Sequence, residues 1–189
     1  NFGKIRHGNN NYRSALPPAS KKFFEVMREE LGIERLITLN PGHRSTGAMN
    51  AAREAGVEVL YYPSNDDGGE IRVGNPKTEA ATEANFEKIA RTLDMGGNLV
   101  HCMSGADRTS AIGARYEISR GMDPVDVLEN TFKYKSGGRK NFFSSIAYFV
   151  TLGIADEAKR KEIQEKYQRP VVVKVKSRRH TKNNEQHRS

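Results

Sequence analysis

Nine consecutive residues decide how this chain folds: His101-Cys102-Met103-Ser104-Gly105-Ala106-Asp107-Arg108-Thr109. The residues just before them, Asn98–His101, predict a short buried strand, and residues 108–120 predict a helix. The stretch therefore leaves a strand, makes a loop that contains a glycine, and enters a helix at about Arg108. This order of elements is typical of α/β proteins.

The loop has the composition of an anion-binding site. Backbone N–H groups of such a loop converge on one point, and the N-terminus of the following helix adds the positive end of its dipole. Cys102 stands at the base of the loop, where the same field favours thiolate over thiol. Arg108 follows six positions later and can fold back to place two hydrogen bonds on a phosphate. Without Gly105, Arg108 and Thr109, the natural interpretation of Cys102 would be a buried apolar side chain.

This stretch resembles the H-C-x(5)-R-[ST] motif of the cysteine-dependent phosphatases of the protein tyrosine phosphatase superfamily. Its form C-x-x-G-x-D-R-T is similar to that of the small dual-specificity and bacterial tyrosine-phosphatase-like members. The start of the chain is similar to that of the atypical dual-specificity phosphatases, through Asn1-Phe2 and Tyr12-Arg13-Ser14-Ala15-Leu16-Pro17. The resemblance covers about residues 1–135 and leaves out the C-terminal tail.

The resemblance implies a role for each residue of the motif. Cys102 would be the nucleophile that forms a phosphocysteine, Arg108 would bind the phosphate and the transition state, and the Thr109 hydroxyl would steady the leaving thiolate. No metal and no cofactor are implied. The backbone amides that would bind the substrate phosphate belong to Met103, Ser104, Gly105, Ala106, Asp107 and Arg108.

The general acid is open between three aspartates. A positioned carboxylic acid that protonates the leaving oxygen typically contributes 10²- to 10⁴-fold to the rate. In most relatives this residue lies on a mobile loop before the motif, where Asp66 and Asp67 match by location, although their surroundings suit an ordinary turn equally well. Relatives with D-R-T sometimes use the loop aspartate, here Asp107. The structural alternative for Asp107 is to cap the next helix near Ser110.

Four further features bear on the site. Ser110 replaces the glycine that is common after the R-T pair, and its side chain slightly crowds the helix start. No glutamine is an obvious candidate to position the hydrolytic water, because the glutamines downstream of the motif come late in the chain (Gln164, Gln168, Gln186). His101 is interpreted as a residue that orients its neighbours by hydrogen bonds, with a catalytic base as the alternative. Tyr12 and Arg13 are interpreted as structural, with substrate contact as the alternative.

The remaining pattern predicts an α/β fold with a short parallel or mixed central sheet, flanking helices and a C-terminal helical cluster. Ser20 is the expected N-cap of a helix that ends at Gly32. Strands are expected near Tyr12 and at 34–39, 57–62 and 98–101. Helices are expected at 44–55, 78–94, 108–120, 124–134, 141–153 and 155–167, with a turn-rich loop at 64–75.

Composition and charge divide the chain into a catalytic domain, residues 1–168, and a basic tail, residues 169–189. The chain has 189 residues, 36% of them hydrophobic, one cysteine and a net charge of +8. The tail has seven basic residues and one acidic residue, and alternating valines from Val171 to Val175 predict an edge strand at its start. No stretch approaches the ~20 apolar residues that span a bilayer. The lone cysteine excludes an intramolecular disulfide and any multi-cysteine zinc site.

The expected partner is a phosphorylated protein or an anionic small-molecule or lipid phosphate, and no stable protein partner is implied. The basic tail is interpreted as a solvated terminus, with nucleic acid or an anionic membrane as the alternative. A loop with Lys133, Lys135, Arg139 and Lys140 is either solvated or part of an anionic-substrate rim. The chain starts at Asn1, so a targeting segment would already be missing, and a soluble, cytoplasmic protein is only the default expectation.

The sequence therefore predicts a metal-independent phosphomonoester hydrolase with a phosphocysteine intermediate. A catalytically silent module that binds phosphate or nucleic acid on the same fold is the first alternative. A nucleic-acid-directed protein that uses the basic tail is the second, and it predicts salt-dependent binding. A rhodanese-like sulfurtransferase is the third, but five residues between Cys102 and Arg108 make a loop sized for phosphate.

Overall fold

The computed structural model describes residues 1–63, 76–132 and 149–167. In this part of the chain, five strands form one mixed sheet in the order β1-β2-β5-β3-β4. β1 pairs with β2 antiparallel, and every other pair is parallel. The strands are β1 (Gly3–Lys4), β2 (Asn11–Ser14), β3 (Arg35–Thr38), β4 (Glu58–Tyr61) and β5 (Asn98–His101).

The helices lie on both faces of the sheet. A single 3-10 turn, Gly42–Arg44, joins β3 to the second helix, and residues 149–151 are also helical. The helices are α1 (Lys21–Leu31), α2 (Thr46–Glu54), α3 (Pro76–Met95), α4 (Arg108–Ser119), α5 (Pro124–Phe132) and α6 (Glu157–Tyr167).

Two hydrophobic clusters, one on each face, hold the helices against the sheet. Leu36 of β3 and Leu99 of β5 are buried in the cluster formed with α1 and α2. Their neighbours Ile37 and Val100 are buried in the cluster formed with α3, α4, α5 and α6. Successive strand residues point to opposite faces, so a strand covered on both sides reads as an unbroken apolar run. β5 is fully buried along its length, and Cys102, the residue that follows it, is buried as well.

The predicted α/β class, with a mixed sheet between helices, is confirmed. Ser20 caps α1 by accepting a hydrogen bond from the Phe23 N–H, and Gly32 ends it with φ of 65°. The helix predicted from residue 44 begins at Thr46, because residues 42–44 form the tighter 3-10 turn first.

Several predicted segments lie outside the described residues. They are the loop 64–75, residues 133–148 with the basic loop and most of the helix expected at 141–153, and residues 168–189 with the basic tail. In the part that is described, no helix is both long enough and apolar enough to cross a membrane.

Candidate active site

The loop between β5 and α4 brings the predicted site together at the carboxyl end of the sheet. Open α/β sheets bind ligands in the crevice outside this edge. β5 ends at His101, Cys102 follows as a free thiol with 1% of its surface exposed, and α4 begins at Arg108. Met103 and Ser104 are exposed at the rim of the loop. The cysteine is thus buried, whereas the two residues that follow it reach the surface.

Gly105 gives the loop its tight turn. Its φ is 68°, in the left-handed region that favours glycine. A Cβ added at this position would collide with the Ala15 nitrogen and lie 2.5 Å from the Ser14 carbonyl carbon. The loop therefore packs directly against the backbone that follows β2.

Donors from elsewhere in the protein hold the loop carbonyls. The Leu16 N–H donates to the Met103 oxygen at 3.1 Å, and Asn1 Nδ2 donates to the Ser104 oxygen at 2.8 Å. Arg13 Nη2 donates to the Gly105 oxygen. Within the described chain, by contrast, the N–H groups of Met103, Ser104 and Gly105 have no protein acceptor. Successive backbone N–H groups without protein acceptors can form an anion-binding concavity.

Arg108 is the first residue of α4 and is 6% exposed. Its Nη1 donates to the Leu39 carbonyl at 2.8 Å, just beyond the end of β3. This bond fixes the side chain back across the sheet edge. A guanidinium carries five N–H donors in a planar fork, so further donors remain to bind a phosphate.

Thr109 is fully buried in the first turn of α4. Its Oγ1 makes no hydrogen bond to any group in the described parts of the chain. Buried hydroxyls are nearly always hydrogen-bonded, so this one is available for a ligand or a charged intermediate.

Asp107 occupies the N-cap position of α4 and is half-buried. Its backbone carbonyl accepts from the Ala111 N–H, but its side chain makes no capping hydrogen bond. The alternative in which Asp107 caps the helix through its carboxylate is therefore wrong. The other two acid candidates, Asp66 and Asp67, lie outside the described residues.

His101 is fully buried. Its Nε2 lies 2.8 Å from the Thr38 hydroxyl and its Nδ1 lies 3.3 Å from the Cys102 carbonyl oxygen. The carbonyl can only accept, so Nδ1 carries the proton and Nε2 accepts from Thr38. Burial lowers the pKa of His101 from 6.5 to about 4. A neutral imidazole with both nitrogens engaged orients its neighbours, in agreement with the predicted role.

The sequence left Arg13 between a structural role and contact with the substrate. It is 5% exposed, and its Nη2 donates to both the Gly105 oxygen and the Ser110 Oγ. These contacts support its interpretation as structural. They also give Ser110 a function, because the serine that replaces a common glycine accepts from Arg13. Tyr12, for its part, stacks on Phe2 with ring centroids 5.5 Å apart.

The remaining observations concern a late glutamine and the possibility of a metal site. Gln164 donates to the Thr151 hydroxyl at 2.9 Å, which gives this late glutamine a structural partner. Among the residues the structure describes, no cluster of three or more His, Cys, Asp or Glu side chains is placed to bind a metal ion.

No protein-family model matches the chain, and no curated protein matches it in sequence. Solved structures do match. The core catalytic domain of the PP-IP phosphatase SIW14 from S. cerevisiae aligns with a TM-score of 0.61 and 14% identity, over 87% of this chain and 91% of that chain. PTPMT1 aligns with a TM-score of 0.58 and 21% identity, over 84% and 99%. TpbA from P. aeruginosa aligns with a TM-score of 0.51 and 22% identity, over 83% and 85%. The chain therefore has the fold of the cysteine-dependent phosphatases of the protein tyrosine phosphatase superfamily.

Proposed function

We propose that the chain is a metal-independent phosphomonoester hydrolase that works through a phosphocysteine intermediate. The observation that carries the proposal is the arrangement around Cys102. The buried Cys102 thiol opens a loop whose N–H groups at Met103, Ser104 and Gly105 have no acceptor among the described residues, and the loop ends at the buried Arg108. Oriented donors of this kind stabilise charge that develops on phosphoryl oxygens, and they act without reorganising during the reaction.

In the first step, the Cys102 thiolate attacks phosphorus. The S–P bond forms, the P–O ester bond breaks, and its electron pair leaves on the oxygen of the alcohol. A carboxylic acid supplies the proton for this oxygen. Asp66, Asp67 and Asp107 stay open for this role, and of these Asp107 is next to Arg108 in the loop itself.

In the second step, water attacks the phosphocysteine and transfers a proton to the carboxylate left by the first step. The S–P bond breaks, its electron pair returns to sulfur, and inorganic phosphate leaves. The Thr109 hydroxyl is the donor we assign to the departing thiolate. Its buried position without a partner in the described chain supports the assignment.

The substrate class we propose is a phosphoinositide, an inositol phosphate or a phosphoprotein. SIW14 is a PP-IP phosphatase, and PTPMT1 has been solved with PI(5)P. TpbA has been solved with pTyr. In this chain, the exposed Arg44 follows Asn40 by four residues, and the Asn40 amide lies 3.9 Å from the Met103 sulfur. A cationic turn beside the loop favours substrates with more than one phosphate.

The test is phosphate release from p-nitrophenyl phosphate in the presence of EDTA, with Cys102→Ser as the comparison. We expect turnover by the wild type and none by the variant. Activity in neither protein would favour the silent binding module. Equal activity in both would refute the cysteine mechanism, and thiosulfate turnover without phosphate release would favour a sulfurtransferase.

A further inference from the structure

We propose that Asn1 and Arg13 are positioning residues that turn the peptide units of the Cys102–Arg108 loop, so that the loop N–H groups face the phosphate. The inference rests on the proposed function and assigns a task to the N-terminal segment within it. Neither residue touches the reacting atoms. Each acts through a loop carbonyl on the outer side of the site.

Four consecutive carbonyls of the loop accept hydrogen bonds. The Cys102 oxygen is bound by His101 Nδ1 and the Met103 oxygen by the Leu16 N–H. The Ser104 oxygen is bound by Asn1 Nδ2 and the Gly105 oxygen by Arg13 Nη2. Three of these four donors belong to the first 16 residues of the chain.

A peptide unit is planar, and in the trans form its C=O and N–H point in opposite directions. No cis peptide bond occurs in the described chain. A donor that holds the carbonyl of residue 103 therefore also directs the N–H of residue 104, and the same holds along the loop. The bonds on residues 102–105 thus direct the N–H groups of residues 103–106, which belong to the expected phosphate donors. Of these, the Ala106 N–H also makes a long hydrogen bond of 3.4 Å to the Ser104 hydroxyl.

The position and contacts of Arg13 suit it to hold the Gly105 carbonyl. It lies on β2, where its Cα pairs with that of Val100 on β5, and so it stands beside the strand that delivers Cys102. Its Nη2 joins the Gly105 carbonyl to the Ser110 hydroxyl, so one side chain spans the loop and the first turn of α4. Its burial at 5% exposure removes it from contact with a substrate in the solvent-facing site.

Asn1 provides the second side-chain hydrogen bond to a loop carbonyl, and this bond is more accessible to solvent than that of Arg13. Its side-chain bond to the Ser104 carbonyl lies at the surface. Its backbone oxygen also accepts from the Ala15 N–H at 3.1 Å. Loss of the side-chain donor would release one peptide unit and leave the buried core unchanged.

The first experiment compares Arg13→Met, which keeps the apolar stem, with Arg13→Lys, which keeps one donor. Removal of a single oriented donor from an oxyanion-binding site typically costs about 10²- to 10³-fold in kcat. Because Arg13→Met only loosens such a donor, we expect kcat to fall about 10- to 100-fold with KM changed less than about threefold. Arg13→Lys is expected to recover most of that loss. Arg53→Met, at an exposed arginine of α2, is the matched control.

The second experiment uses Asn1→Asp, which replaces the donor by an acceptor of equal size, with the exposed Asn50→Asp as its control. Inorganic phosphate is titrated into ¹⁵N-labelled protein, and amide resonances of residues 103–106 are followed. We expect the wild type and Asn50→Asp to show saturable shifts at these amides. We expect weaker phosphate binding and smaller shifts in Asn1→Asp and Arg13→Met.

The two readouts separate the possible failures. A wild type that binds phosphate but hydrolyses no ester would refute the proposed function, and the titration would still decide the positioning role. Phosphate shifts in Arg13→Met and Asn1→Asp equal to those of the wild type would overturn the positioning role. A wild type that shows no phosphate shift at residues 103–106 would overturn both.

Discussion

At the scale of single residues, Gly105 determines whether the loop forms. Gly105→Ala places a Cβ against the backbone of Ser14 and Ala15 and imposes a positive φ on an alanine. Because backbone cannot move aside as a flexible side chain can, we expect at least a 100-fold loss of phosphatase activity. Gly121→Ala is the control, since Gly121 also has a positive φ but no atom within 4 Å of its added Cβ. Equal loss of activity in both variants would show that strain alone, and not the close contact, explains the effect.

His101 predicts how stability depends on pH. Its pKa is about 4 in the folded protein against 6.5 ordinarily, because burial disfavours the charged form. The folded state thus binds fewer protons, so the stabilisation is complete above about pH 6.5 and is lost as pH falls towards 4. The full loss is on the order of 3 kcal/mol. Urea unfolding of wild type, His101→Gln and the exposed His43→Gln should show a shallower pH slope for His101→Gln alone. An unchanged slope in that variant would assign the pH dependence to other groups.

At the scale of elements, one ion-pair cluster ties the N-terminal segment to the helices behind the site. Arg6 donates to the Glu117 carboxylate on α4 through its backbone N–H, Nε and Nη2, and its Nη1 lies 2.6 Å from Asp126 on α5. Glu117 is 5% exposed. The cluster therefore fixes α4, which begins at Arg108, relative to the segment that contacts the loop.

Arg6→Met keeps the aliphatic stem but leaves the Glu117 carboxylate buried without its guanidinium. Loss of one partner from a buried pair costs about 3 to 5 kcal/mol. Because Arg6 is itself 29% exposed, we expect the lower end, on the order of 3 kcal/mol. Urea unfolding measures this difference, with Arg91→Met at an exposed position of α3 as the control. A loss equal to that of the control would show that the cluster contributes little.

Local pattern was enough to predict β2 to β5, most of the helices and the loop with Cys102 and Arg108, but not the two-residue strand β1. Apolar runs, N-cap residues and glycines act over a few neighbouring residues, and the sequence displays them directly. The hydrogen bonds that hold the loop carbonyls could not be predicted in this way, because they join residues far apart in the sequence. The bond from Asn1 to Ser104 joins residues 103 apart, and that from Arg13 to Gly105 joins residues 92 apart. Ser110 is an example. From the sequence alone, a serine in place of the common glycine suggests crowding at the helix start. In the fold, its hydroxyl accepts a hydrogen bond from Arg13.

At the scale of the whole molecule, we expect charge to influence which phosphate esters approach the loop. The chain has a net charge of +8, and the exposed Arg44 makes no ion pair with the acidic residues of the described chain. We expect Arg44→Gln to raise KM severalfold for a phosphoinositide with two or more phosphates and to leave KM for p-nitrophenyl phosphate unchanged. Arg53→Gln, at the exposed arginine near the C-terminal end of α2, is the control. Equal effects on both substrates would place Arg44 outside substrate selection.

The phosphocysteine intermediate is the central claim, and acid quenching during turnover tests it most directly. Wild type is mixed with p-nitrophenyl phosphate, quenched within the first turnovers and analysed by intact and peptide mass spectrometry. We expect one phosphate attached to the peptide that contains Cys102, and none in Cys102→Ser. Phosphate release by the wild type without any covalent adduct, or an adduct on another residue, would contradict it.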